Sequence, residues 1–218
     1  MAPVKLLGLP MSTCTARVLA CLHEKGIDFE LVPVNLPAGE HKQPPFLSKN
    51  PFGQIPALDD GDLTLFESRA ITKYLATKRN DVGPDLLRLG DAKEAAFVNV
   101  WLEVEAHQYS PPISALVYQR VVLPVFGGTP DEKVIEANAE KLGKILDVYE
   151  ERLSKSKYLA GDFYSLADLH HLPYTYYLTK TPEAKLIYSR PHVKAWWEDI
   201  SSRPAFKKVA EGMVLGNA

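Results

Sequence analysis

Apolar and polar positions divide the chain into two unlike halves. Up to about residue 80, short apolar runs alternate with turns and two helical stripes; from residue 92 onward, helical spacing takes over almost throughout. Val4 to Leu9 is a short apolar strand ending at Pro10. From about Thr13, the residues Cys14, Val18, Cys21 and Leu22 fall on one helical face, with Gly26 as the stop, and Cys14 is expected to point inward with the rest. Phe29 to Leu36 is a second strand, and a β-α-β connection of this length makes it parallel to the first with a right-handed crossover.

The most informative stretch runs from Asn50 to Ile71, NPFGQIPALDDGDLTLFESRAI. Pro51 and Gly53 break the preceding segment, and Ile55 to Leu58 is a short apolar run. Asp60-Gly61 is a hairpin signal, and Leu63 to Phe66 supplies the partner strand. Proline donates nothing to a ladder, so Pro56 belongs at a strand's first residue, an edge or a bulge. Only about 5–6% of X–Pro bonds in folded proteins are cis, so the residues alone favour a trans bond at Ile55-Pro56. Ser68 stands where a helix starts, ahead of Ile71, Tyr74 and Leu75. Glu67 and Ser68 therefore sit at a helix N-terminus, where free N–H groups and the macrodipole favour a bound carboxylate or phosphate. The segment PAGEHKQPPFLSKNPFG, rich in proline and charge, reads as an irregular loop.

Asp81 to Gly90, with Gly83-Pro84, reads as an interdomain linker. One helix carries Ala95, Val98, Trp101 and Leu102, and Pro111-Pro112 should end or kink it. A longer one carries Ile135, Ala139, Leu142, Leu146, Tyr149 and Leu153. Ser165 and Asp168 have the spacing of a capping box, which accounts for them without a hydrolase triad, even with His170 and His171 adjacent. Those histidines read as packing or hydrogen-bonding groups. Ser189-Arg190-Pro191 and Ser202-Arg203-Pro204 read as serine caps with proline in the first turn.

Composition narrows the function classes. Among 218 residues, 25 Lys and Arg against 27 Asp and Glu leave a net charge of -2, which is no footprint for nucleic acid. No apolar run approaches the roughly 20 residues of a membrane span. The N-terminus lacks a basic segment leading into an apolar signal core, so a cytosolic protein is expected. Two cysteines without a CxxC pair or a histidine cluster argue against structural zinc and a disulfide framework. Pro10-Met11-Ser12-Thr13-Cys14 lies between the first strand and helix, where a thioredoxin places its CxxC. Two-thiol exchange is not available there, and by itself Ser12 reads as a helix cap.

Taken together, the STCT turn, EHK followed by FL and NPFGQ, QIPAL with its hairpin and FESRAI, and GDFYSLAD resemble the plant phi-class glutathione transferases over nearly the whole chain. The resemblance implies an α/β thioredoxin-like domain (βαβ-ββα, mixed four-stranded sheet) at residues 1–82, a linker at 83–90 and an all-α domain at 91–218. It also implies a cis bond before Pro56. Glutathione is then the co-substrate, with no metal. Ser12 contacts its thiol, His41 and Lys42 the glycine carboxylate, Gln54 and Ile55 the peptide backbone, and Glu67 and Ser68 the γ-glutamyl amino and carboxylate groups. A hydrophobic second-substrate pocket is expected from Met11, Leu36, Ile113, Tyr118, Val122, Tyr176 and Tyr177. Expected activities are conjugation of hydrophobic electrophiles in detoxification and stress response, and reduction of organic hydroperoxides. The alternatives are a non-catalytic carrier of flavonoids or other aromatics, and an interaction module that has lost its site. The resemblance further implies a homodimer, with Phe52 of NPFG inserted between helices of the partner. Cys14 departs from the pattern and raises the prospect of a mixed disulfide with glutathione, against which its expected inward phase argues.

Overall fold

The computed structural model describes residues 3–214. Residues up to Leu87 form one compact unit together with Pro204–Val214, and Arg88–Arg203 form a second.

In the first unit, β1 (Val4–Gly8), α1 (Thr13–Glu24) and β2 (Phe29–Pro33) make the β-α-β half, and β3 (Ala57–Asp60), β4 (Leu63–Phe66) and α3 (Ser68–Lys78) make the β-β-α half. The sheet order is β2-β1-β3-β4, parallel between β1 and β2 and antiparallel elsewhere. Strand alternation puts Val4, Leu6 and Gly8 on a buried face, while Leu7 faces the other way and packs with Leu36 and Ile55 on the cluster Val34, Phe46 and Ala57. Phe46 corrects one expectation. The segment between the halves is not irregular: Glu40–Lys42 is a 3-10 turn and α2 (Pro44–Leu47) follows, because burying Phe46 against the sheet anchors that short helix. The hairpin loop is Gly61-Asp62, one residue later than expected, since Asp60 already pairs with Leu63 and Gly61 takes φ 65°. Helix α1 ends as expected, at a Gly26 with φ 55°.

The second unit is all helical. The backbone stays helical from Ala92 to Val125: α4 (Ala92–Val104), α5 (Ser110–Val117) and α6 (Leu123–Val125) are joined by π-helical turns at Glu105–Tyr109 and Tyr118–Val122. Each π turn precedes a proline pair or proline, so the hydrogen bond that Pro111, Pro112 or Pro124 cannot donate is absorbed by widening the helix rather than ending it. Next come α7 (Glu132–Leu153), α8 (Leu166–Leu169), α9 (Leu172–Leu178), α10 (Lys185–Tyr188) and α11 (Pro191–Ser201). The Ser-Arg-Pro reading is corrected here: Ser189 caps the C-terminus of α10, and Arg190 is the N-cap of α11, because proline as first helical residue moves the cap to the position just before it.

The core of this unit is aromatic. Tyr149 stacks on Tyr109 at 5.6 Å and meets Trp101 edge-on at 5.2 Å. The two histidines are spent inside it. His171 donates from Nδ1 to the Ala167 carbonyl at 2.7 Å, which leaves Nε2 of the neutral ring to accept from the Tyr149 hydroxyl at 3.0 Å. His170 is fully buried, 3.9 Å from the equally buried Glu105. The last helix, α12 (Pro204–Gly212), packs on α1 and so belongs with the first unit, unlike the division at residue 91.

Candidate active site

Sheet register brings the chemistry-bearing loops of the first unit to one end of the sheet. Leu7 pairs with Ala57, and Ala57 pairs with Phe66. The turn after β1, the approach to β3 and the start of α3 therefore open side by side, carrying Ser12, Ile55 and Glu67-Ser68. The Ile55-Pro56 bond is cis. The ladder begins after it, at Ala57, which leaves Ile55 outside the sheet pairing.

Ser12 is the N-cap of α1, with φ -70° and ψ 125°, and its Oγ accepts from the Thr15 amide at 3.4 Å. That bond is long, and it uses a lone pair rather than the proton. The half-buried hydroxyl can still donate. The first turn of α1 contains no acidic side chain, so no carboxylate of that turn offsets the positive end of its dipole. Cys14 is half-buried rather than inward, and its Sγ accepts from Arg17 Nη1 at 3.8 Å. The first turn of α1 is turned toward the sheet end, which the face defined by Val18, Cys21 and Leu22 does not require.

Lys42 is already engaged: its Nζ donates to the carbonyls of Phe52 at 3.1 Å and Gly53 at 2.8 Å. This binds the EHK turn to the NPFG turn and leaves one of three ammonium protons for a ligand. Gly53 is required at their junction, since it holds φ 57° and a Cβ there would lie 2.7 Å from the His41 carbonyl. His41 Nδ1 is enclosed without a hydrogen-bond partner. Gln54 is exposed, and its carbonyl accepts from Asn50 Nδ2 at 2.7 Å.

Glu67 is the N-cap of α3 with φ 67° and ψ 104° and makes no side-chain cap bond. A side-chain residue in so sparsely populated a region costs about 1–3 kcal/mol and recurs at binding sites. Ser68 is 4% exposed, and its Oγ accepts from Arg17 Nη1 at 2.8 Å.

Two residues that shape this end escaped the sequence reading. Asn50, 2% exposed, ties the turn through Gln54 and through the Phe52 amide at 3.0 Å, and its signal was the Asn-Pro pair. Arg17 is fully buried, and its signal was a charge on the helical face of Cys14 and Cys21.

The residues expected to line the apolar pocket divide. Met11 and Tyr118 are exposed, and Leu36, Val122 and Tyr176 are half-buried, with Lys180 Nζ 3.9 Å from the Tyr176 ring centre. Ile113 and Tyr177 are 0% and 3% exposed; both are core residues with no free surface to offer a ligand. Among the described residues there is no cluster of His, Cys, Asp and Glu able to hold a metal, and no helix long and apolar enough to cross a membrane.

The model of the glutathione S-transferase N-terminal domain matches residues 2–77, and that of the C-terminal domain residues 109–204. Glutathione S-transferase F13 of Arabidopsis thaliana is 63% identical over 212 residues, 97% of this chain and 97% of its own. The structure of glutathione transferase F7 from Populus trichocarpa is 69% identical with a TM-score of 0.95, over 97% of this chain and 100% of that one. Glutathione S-transferase I from maize, solved with an atrazine glutathione conjugate, is 52% identical with a TM-score of 0.92, over 97% and 98% of the two chains. With family models over most of its length and relatives this similar end to end, the chain belongs to the plant phi-class glutathione S-transferases.

Proposed function

We propose that the first unit binds glutathione extended along Ile55 and that Ser12 stabilises its thiolate for attack on a hydrophobic electrophile. The observation that carries this is the Ser12 hydroxyl, held at the start of α1 with its proton unspent and beside the cis-proline turn. His41 and the remaining proton of Lys42 take the glycine carboxylate. The backbone of Ile55, which lies outside the sheet ladder, pairs with the cysteinyl residue with Gln54 beside it, Glu67 takes the γ-glutamyl ammonium, and Ser68 takes its carboxylate at the start of α3. In the reaction the sulfur forms a bond to the electrophilic carbon while that carbon's leaving group departs with its electron pair. Organic hydroperoxides are a second substrate class: the thiolate attacks the terminal peroxide oxygen, the O–O bond breaks and the alkoxide leaves to take up a proton as the alcohol, and a second glutathione displaces water from the sulfenic acid to give glutathione disulfide. In the first unit, Met11 and the half-buried Leu36 are the side chains proposed to meet an apolar substrate; in the second, Tyr118, Val122 and Tyr176 are the expected pocket residues that keep exposed surface. An in vivo role in detoxification and stress response follows from that substrate class.

The comparisons favour the transferase over the carrier of aromatic molecules. The direct test is turnover of 1-chloro-2,4-dinitrobenzene and cumene hydroperoxide with glutathione, beside retention on immobilised glutathione. Glu67→Ala is expected to weaken retention; unchanged retention would remove the γ-glutamyl end from α3. Both cysteines are free thiols, which suits the reducing cytosol.

The enzyme is proposed to act as a two-fold homodimer. Phe52 supports this: it is 65% exposed, and it leans on Phe66 at 6.0 Å rather than tucking under its own loop. A single exposed phenylalanine on a turn braced by Asn50 and Lys42 is suited to fill a partner's pocket. Sedimentation is expected to show a dimer at micromolar protein and monomer for Phe52→Ala. A wild-type monomer refutes the assembly, and a dimeric variant refutes the anchor.

A further inference from the structure

We infer that Arg17 is a positioning residue for glutathione: a buried guanidinium that aims the Ser68 hydroxyl at the γ-glutamyl carboxylate. The inference rests on the placement of the tripeptide proposed above and deepens it. Arg17 has no exposed surface, although it lies on α1, one helix away from the carboxylate position at α3. Its Nη1 donates to Ser68 Oγ at 2.8 Å in a buried bond. The same nitrogen reaches Cys14 Sγ at 3.8 Å, so one guanidinium spans from the first turn of α1 to the first residue of α3.

Two effects follow from that geometry. The first concerns direction. A serine hydroxyl has one proton and two lone pairs, and without a fixed neighbour it rotates among them. Because Oγ accepts from Arg17, one lone pair points inward and the proton is directed elsewhere. Ser68 is thereby held as a donor, which is the role that a carboxylate requires. The second concerns charge. A permanent unit charge beneath the start of α3 adds to the partial positive charge of that helix terminus, and burial shields it from salt. Only arginine does both, since its planar fork fixes the bond direction while it carries the charge. Burying a charge costs stability that an apolar residue of similar size would not, so packing α1 on α3 is a poor reason for an arginine here.

The inference predicts a loss specific to one carboxylate. The test compares kcat/KM for glutathione with that for γ-aminobutyryl-cysteinyl-glycine, which keeps the thiol and the glycine carboxylate but lacks the γ-glutamyl carboxylate. 1-Chloro-2,4-dinitrobenzene is the electrophile. Wild type is expected to prefer glutathione strongly, and Arg17→Met to cut that preference about tenfold or more, the size expected when a hydrogen bond to a charged group is lost. The KM for the electrophile should stay put. Placed in a Ser68→Ala background, Arg17→Met should reduce the preference little further, because the two side chains act as one unit.

A folded Arg17→Met enzyme with undiminished preference overturns the inference, as does one that loses activity equally toward both thiols. If Arg17→Met does not fold, Arg17→Lys carries the same comparison, and an unchanged preference in it overturns the inference too. Ser68→Ala separates the two levels. If that variant keeps the wild-type preference, the placement of the tripeptide falls and takes the inference with it; if it loses the preference while the Arg17 variants keep theirs, Arg17 alone is refuted.

Discussion

Replacing Ser12 by alanine is expected to lower turnover at pH 7 by roughly tenfold or somewhat more while leaving glutathione affinity nearly unchanged. One hydrogen bond to a charged group is worth roughly 1.5–3 kcal/mol, which is about one to two units of thiol pKa. A free thiol with a pKa near 8.5 is only a few per cent ionised at pH 7, and a shift of that size brings it to between about a quarter and three quarters. Affinity should hold because the tripeptide's other handles, His41, Lys42, Ile55, Glu67 and Ser68, are untouched. The competing reading makes Ser12 a cap alone. An N-cap serine contributes about 0.5–2 kcal/mol of stability, and the long 3.4 Å bond to Thr15 places Ser12 toward the low end of that range. Thiolate absorbance of the glutathione complex followed against pH, beside thermal unfolding, separates the two. An unshifted titration with a lowered melting temperature would leave Ser12 as a cap and transfer the thiolate role to Thr13 or Cys14.

The largest loss of stability is expected at Asp168, a residue with no part in the proposed chemistry. Its carboxylate accepts from the Leu159 amide at 3.1 Å, the Trp196 indole at 3.0 Å, the Ser165 amide at 3.0 Å and the Ser165 hydroxyl at 3.2 Å. Ser165 Oγ in turn accepts from the Ala167 amide, completing the capping box. Burial pushes the Asp168 carboxyl up to about 6 against the pull of these donors, so at pH 7 it is the ionised form that gathers them. Asp168→Ala orphans several buried donors at once, for a loss of about 3–5 kcal/mol from a net stability of only some 5–15 kcal/mol. The melting temperature should fall by roughly 10 °C or more. Asp168→Asn should fare little better, since its amide puts a donor where donors already point. A melting curve within a degree or two of wild type would show that the network is not holding α8 and the 154–165 loop.

The local chemistry of this protein was legible in its sequence. Short apolar runs punctuated by proline and glycine define the β-α-β and β-β-α halves, because a strand or helix start needs only its own few residues to declare itself. The capping box at Ser165 and Asp168 was legible for the same reason: its hydrogen bonds run between residues three apart. Glu67 and Ser68 could be placed at a helix N-terminus, and Ser12 at another, with no knowledge of what lies opposite. Membership of the glutathione transferases was legible too, carried by several short motifs in order rather than by any one of them.

What the sequence left open depends on residues distant in the chain. The bond before Pro56 reads as trans by frequency; the folded chain holds it cis, as the family resemblance implied. The irregular loop became an ordered turn and helix because Phe46 found the sheet. Pro111, Pro112 and Pro124 follow π turns instead of ending the helix, and on both sides of the first of these turns the helix is held by the core around Trp101, Tyr109 and Tyr149. Ile113 and Tyr177, expected in the pocket although such residues are more often core than pocket wall, are buried in the core. Arg17 is the clearest case. By itself it is a charge on an apolar helical face, 51 residues before the serine to which its guanidinium donates. No local pattern connects the two, and the pairing exists because the sheet register sets α1 beside α3.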